Sequence, residues 1–172
     1  WACFSGDTEV LTACGETPIE EIQPGCYVWA FNSNNGEPEI CKVTRCFKRE
    51  TDSLVIINVG CEQIETTQEH PFYVYNEGWC EAGKLQAGMK LVDINGFPVA
   101  IDSLEFVSEH TIVYNIEVEN AHTYYVSRMQ LLVHNICSAQ DRFRRTANNL
   151  SEMLTMAEAK SGGGVGIRER IM

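Results

Sequence analysis

Up to about position 135, apolar and polar residues alternate in short runs separated by turn-forming residues. Thr8–Ala13 alternates and stops at Gly15. Thr17–Gly25, bracketed by Pro18 and Gly25, is rich in turn formers. Tyr27–Phe31 and Ile40–Arg49 flank Asn35-Gly36, a step that suits a tight hairpin needing positive φ. Ser53–Val59 is apolar and β-branched, and Pro71–Tyr75 follows His70 directly. Lys90–Ile94 and Phe97–Leu104 flank a second such turn at Asn95-Gly96. In Thr111–Val118, Tyr114, Ile116 and Val118 share one face, and Tyr124–Val126 and Leu131–Val133 complete the set. Short strands with turn signals at regular spacing predict an all-β domain, not a parallel sheet with crossover helices.

Beyond this point the period changes. Phe143, Ala147, Leu150, Leu154 and Ala157 recur at helical spacing within Ser138–Lys160, which predicts an amphipathic helix. Ser138 is the predicted N-cap, and Ser161-Gly162-Gly163-Gly164 ends the run. Residues 1–2 therefore read as an N-terminal flank, 3–135 as one β domain, and 136–172 as a C-terminal flank that opens a downstream unit or linker.

Charge sharpens that division. Of the 24 acidic residues all but four precede residue 136, while the flank is basic and holds the small cluster Arg142, Arg144 and Arg145. An acidic main domain argues against nucleic acid as partner, because phosphate contacts need clustered Lys and Arg. No run of about 18 apolar residues is present, so no membrane-spanning helix is expected. Eight cysteines occur, none as Cys-x-x-Cys, which weakens a zinc-ribbon reading. We read most of them as reduced thiols buried as small hydrophobes.

Four segments in order carry chemistry: Cys3-Phe4-Ser5-Gly6-Asp7-Thr8, Thr67-Gln68-Glu69-His70-Pro71-Phe72, Tyr114-Asn115-Ile116-Glu117-Val118 with His122-Thr123-Tyr124, and Leu131-Leu132-Val133-His134-Asn135. Together they resemble the motifs of Hint domains, the fold of inteins and hedgehog autoprocessing domains. The ending is most similar to bacterial intein-like domains and the Hint domains of polymorphic toxins. The resemblance implies a pseudo-twofold β horseshoe that brings Cys3 and Asn135 together, acting as a monomer on its own flanking segments without metal or organic cofactor.

It also implies roles. Cys3 would attack the Ala2 carbonyl and convert the amide to a thioester, since a thiol gives a usable thiolate fraction near neutral pH. His70 would protonate the leaving amine, and Thr67 would hydrogen-bond the scissile group. Asn135 would cyclise to a succinimide and break its bond to Ile136, assisted by His134 and His122.

Two departures bear on the outcome. Inteins that splice place Cys, Ser or Thr after the asparagine, whereas Ile136 carries no nucleophile. Ligation of the flanks is therefore not expected, and the thioester would end in hydrolysis or capture by an external thiol or amine. Cys137 is a substitute acceptor with an unfavourable ring size. Second, Asn115 stands where inteins usually carry an aspartate, and it cannot take a proton. Two other readings stay open: a non-catalytic β spacer or binding module of the same fold, and a disulfide-bonded extracellular domain. The compartment is not encoded; a secreted or cell-surface bacterial protein is the setting that the toxin resemblance offers, with release of a C-terminal effector as its role.

Overall fold

Two strands run almost the length of the molecule and organise everything else. The computed structural model describes residues 2–135. In it, strand β5 (Glu37–Val59) pairs antiparallel with β11 (Ser103–Val118) from Asn58 opposite Ser103 to Val43 opposite Val118. Register shifts near Ser108/Thr111 and Glu117/Val118 let this long ribbon bend. The sequence pattern predicts two segments, Ile40–Arg49 and Ser53–Val59, because Lys48-Arg49-Glu50-Thr51-Asp52 interrupts the apolar run. The structure joins them. Across Lys48–Asp52 the β5 side chains are exposed or half-buried and the strand is held by its backbone ladder to β11, so charged residues there break nothing.

The other strands gather at the ends of this ribbon. They are β1 (Phe4–Ser5), β2 (Glu9–Thr12), β3 (Gly15–Pro18), β4 (Tyr27–Asn32), β6 (Glu62–Thr66), β7 (Pro71–Val74), β8 (Gly78–Glu81), β9 (Lys90–Val92), β10 (Pro98–Ala100), β12 (Thr123–Val126) and β13 (Leu131–His134). All thirteen join one continuous sheet, in the order β10-β9-β7-β13-β12-β2-β4-β5-β11-β1-β6, with β3 on β2 and β8 on β7. Both Asn-Gly turns close the hairpins expected of them, with φ of 72° at Gly36 and 80° at Gly96.

The pseudo-twofold is visible residue by residue. In one half, β2 and β3 turn at Gly15 (φ 113°), a 3₁₀ turn follows at Ile19–Glu21, and Gly25 N–H donates to Val43 O at 2.8 Å. In the other, β7 and β8 turn near Gly78 (φ 101°), a 3₁₀ turn follows at Ala82–Lys84, and Gly88 N–H donates to Ile101 O at 2.8 Å. Ile19 and Ala82, Ile22 and Leu85, Val28 and Leu91 are buried at matching places. One core unites the halves around Phe4, Phe72, Ile57, Ile64, Ile116, Tyr124 and Val133. A second, aromatic cluster gathers Phe31, Tyr73 and Tyr125 with Trp29 and Trp79. The predicted helix at 138–160 lies outside the described residues.

Candidate functional site

The N-terminal junction is built by a strand of two residues. β1 slots between β11 and β6, with Phe4 opposite both Tyr114 and Thr66. The chain just before it is sealed in: Ala2 and Cys3 are each 1% exposed. A buried amide needs a partner, and the pair Thr66-Thr67 supplies several. Cys3 N–H, part of the Ala2–Cys3 peptide bond, donates to Thr67 Oγ1 at 2.9 Å. Cys3 O accepts from Thr67 N–H at 2.9 Å and from Thr66 Oγ1 at 3.1 Å.

His70 sits behind this clamp. Its ring centroid lies 4.0 Å from that of Phe4, and it also meets Phe72 and Tyr124 edge-on. It is fully buried, and the His134 backbone offsets that burial only in part, without a well-formed hydrogen bond to either ring nitrogen. Burial, reinforced by His134 nearby, pushes its pKa well below the ordinary histidine value. The imidazole is therefore neutral at neutral pH, whereas the sequence reading assumes an ordinary titration there. In this state Thr67, not His70, holds the Cys3 amide.

The C-terminal junction is equally enclosed, with Asn135 only 3% exposed. β13 lies between β12 and β7, Val133 opposite Phe72. Asn135 N–H donates to His122 O at 2.9 Å. His134 Nδ1 lies 2.9 Å from Asn135 O, the carbonyl of the Asn135–Ile136 bond. A carbonyl oxygen only accepts, so Nδ1 carries the proton. Trp79 fixes the His134 ring edge-on at 5.1 Å. Asn135 Oδ1 is buried without a partner. His70 packs on Phe4 from one side and feels His134 from the other, which links the two junctions.

The remaining candidates are placed less centrally. His122 is exposed, and its left-handed backbone (φ 53°) aims its carbonyl, not its ring, at Asn135. Asn115 is buried, and its Oδ1 accepts both Ile116 N–H at 2.9 Å and Tyr124 Oη–H at 2.7 Å. Ile136 and Cys137 lie outside the described residues. Cys3, Cys14, Cys26, Cys41, Cys46, Cys61 and Cys80 are all free thiols, but against the expectation of burial Cys14, Cys46 and Cys61 are exposed, Cys26 and Cys80 are half-buried, and Cys3 and Cys41 alone of these seven are buried. Among the described residues, no group of three His, Cys, Asp or Glu could hold a metal ion.

Two groups escape the sequence reading. Burial pushes the Cys3 thiol above its ordinary pKa, the Arg49 guanidinium pulls it back by charge and hydrogen bonding, and Glu69 adds to the upward push. Glu69 stood in plain view within Thr67-Gln68-Glu69-His70, between two residues given roles. Arg49, from a distant strand, left no local signal.

A pretoxin Hint domain family model matches residues 9–136. The fold is similar to that of a bacterial intein-like domain from Clostridium thermocellum: 39% identity over 77% of this chain and 98% of that one, TM-score 0.75. It is also similar to the gp41-1 intein at 26% identity over 78% of this chain and 99% of that chain, TM-score 0.65. A DnaB intein from Synechocystis sp. PCC 6803 shares the fold at TM-score 0.69 and 20% identity, over 80% of this chain and 100% of that one. No curated protein matches the chain. The intein-like fold supports self-processing in general, acting in cis on flanking segments. By sequence model and by architecture, the chain belongs to the pretoxin Hint family.

Proposed function

We propose that residues 3–135 cut the backbone at both of their ends, once per molecule, and do not ligate the flanks. At the first junction the Cys3 thiol attacks the Ala2 carbonyl carbon, the C–N bond breaks, and a thioester remains. Thr67 holds the departing nitrogen throughout, and neutral His70 gives its N–H to the developing amine while its other ring nitrogen takes up the proton that the thiol releases. At the second, the Asn135 side-chain nitrogen attacks the Asn135 carbonyl carbon, closing a succinimide and releasing the α-amine of residue 136. His134 donates from Nδ1 to the oxygen on which charge develops. His122 contributes its carbonyl to Asn135 N–H and thereby aims the side chain.

The observation that carries this reading is the 2.9 Å contact from His134 Nδ1 to the Asn135 carbonyl, made inside a closed pocket beside an asparagine whose own carboxamide oxygen is unpaired. Such a donor is already aimed where an oxyanion would form, and burial strengthens it. Ile136 leaves the thioester without an internal acceptor, so water or an outside thiol or amine resolves it. Residues 136–172 are then the released flank, the start of an effector or a linker to one.

Two variants test the scheme. Asn135→Ala is expected to abolish release of the 136–172 flank, and Cys3→Ala to leave that release within about threefold, because the second step needs no thioester. Equal loss in both would show coupled steps and refute the scheme. An unchanged parent chain over days would favour the non-catalytic spacer, for which the locked carboxamide of Asn115 is the supporting observation.

A further inference from the structure

The Cys3 thiol is flanked by two charged side chains that the scheme above does not use. β1 lies across β11 with Ser5 opposite Val113, and Val113 lies opposite Arg49 on β5. Residues opposite one another across a ladder share a face, and a two-residue step keeps that face. Cys3, Ser5, Val113 and Arg49 therefore project from the same side. There Cys3 packs on Val113 and Leu54. Arg49 Nη1 is anchored on Glu50 O at 3.3 Å, which holds the guanidinium beside the thiol.

Glu69 stands two residues beyond the threonine that clamps Cys3 N and O, and its charge reaches the thiol. Its Oε2 is buried and accepts no hydrogen bond. Leaving a carboxylate oxygen dry and unpaired costs folding free energy, so such an atom calls for a functional explanation. The strand position facing Cys3 supplies no alternative. Asn115 does not titrate, and its oxygen is already taken by Ile116 N–H and Tyr124 Oη–H. His70, packed on Phe4, serves the leaving nitrogen, and its lowered pKa makes it a weak first acceptor for the thiol proton. The charged side chains acting on the thiol are Arg49 and Glu69, and of these Glu69 alone is anionic.

We propose that Glu69 is the proton acceptor for Cys3, and that Arg49 steadies the thiolate so formed. The assignment rests on the thioester route given above. The S–H proton passes to the Glu69 carboxylate, directly or through one water. The thiolate forms the S–C bond to the Ala2 carbonyl carbon, and the C–N bond to Cys3 breaks. Glu69 then returns that proton to His70 as the imidazole gives its own N–H to the leaving amine, so both groups end as they began and the acyl shift consumes no external acid or base.

Two rates on the full-length chain carrying Asn135→Ala test this. One is release of the N-terminal flank by added thiol; the other is iodoacetamide alkylation of Cys3, read by peptide mass mapping. A bystander carboxylate and a proton acceptor differ in sign. Removing a negative charge makes the thiol easier to ionise, so Glu69→Gln is expected to alkylate as fast as the parent or faster. Its thiol-induced release should nevertheless fall by about 10²-fold, the lower end of general-base contributions. Arg49→Gln should slow both. Parallel change of the two rates in Glu69→Gln, in either direction, overturns the assignment. If the parent itself alkylates but releases nothing with thiol, the thioester route has failed and the assignment falls with it. If the parent releases and Glu69→Gln releases as fast, only the assignment has failed.

Discussion

Thr67→Val isolates the clamp on the N-terminal junction. The valine keeps the branched shape and removes one oxygen. In the structure that oxygen is the acceptor for Cys3 N–H at 2.9 Å. On the carbonyl side Cys3 O loses a 3.3 Å donation from the same hydroxyl but still accepts from Thr67 N–H at 2.9 Å and Thr66 Oγ1 at 3.1 Å. The variant thus leaves one donor, in a segment 1% exposed, without a partner. An orphaned buried polar group costs about 1–3 kcal/mol. Thr66→Val is the internal control. It removes a donor from Cys3 O, which keeps Thr67 N–H, and so should cost only about 0.5–1.5 kcal/mol. Urea unfolding is measured with Cys3→Ala and Asn135→Ala present, which prevents cleavage and leaves the Cys3 amide in place. With a slope of about 1–3 kcal/mol per molar urea, the Thr67→Val midpoint should fall by about 1 M, and by more than that of Thr66→Val. In the cleavage-competent chain, each 1.4 kcal/mol of this interaction felt in the transition state slows thiol-induced release about tenfold. A midpoint unmoved within about 0.2 M, or an order of loss reversed between the two threonines, refutes the clamp.

Other expectations follow from the same geometry. His134→Ala should slow release of the 136–172 flank by about 10²–10⁴-fold and leave thiol-induced release at Ala2–Cys3 largely intact; gel densitometry of both products checks it. Trp79→Ala, which frees the His134 ring, should show the same selectivity with a smaller loss, and a preferential loss at the first junction would contradict it. His70 is held neutral, so the unfolded chain binds its proton more readily than the folded one. Stability is then full above the ordinary histidine pKa and falls as pH drops below it, by up to about 1.4 kcal/mol per pH unit. That slope should shrink in His70→Gln when unfolding is measured between pH 7 and 5. Ile136→Cys should convert part of the cleavage into ligation of the two flanks, detected by mass; ligation by the unaltered chain would contradict the account.

Much of the site was legible because its chemistry is carried by residue types in a fixed order. Cys3 and Thr67 are far apart in sequence and meet through a 2.9 Å bond, while His134 lies 2.9 Å from the carbonyl of its immediate neighbour. The two Asn-Gly turns were equally plain, since positive φ leaves a local mark. What escaped depends on pairing across distance. A two-residue strand such as β1 has no periodicity to read, and β6 and β8 are too short or too polar to stand out. The continuity of β5 through Lys48–Asp52 is dictated by β11, not by local apolarity. The doubled halves share the places of glycines and small apolar residues more than their identities. His122 resembles a motif residue, yet a left-handed backbone turns its ring to solvent. The neutral state of His70 comes from burial, which sequence spacing does not report.

The central claim is that folding encloses the thiol that opens the domain and the carboxamide that closes it beside buried imidazoles, and that cleavage follows. Intact mass of the freshly folded chain, followed over time with and without added thiol, reads both junctions at once. The account predicts loss of the 136–172 flank without thiol, and loss of the segment before Cys3 accelerated by thiol. A mass that stays whole under both conditions, with Cys3 free and the domain folded, would contradict it.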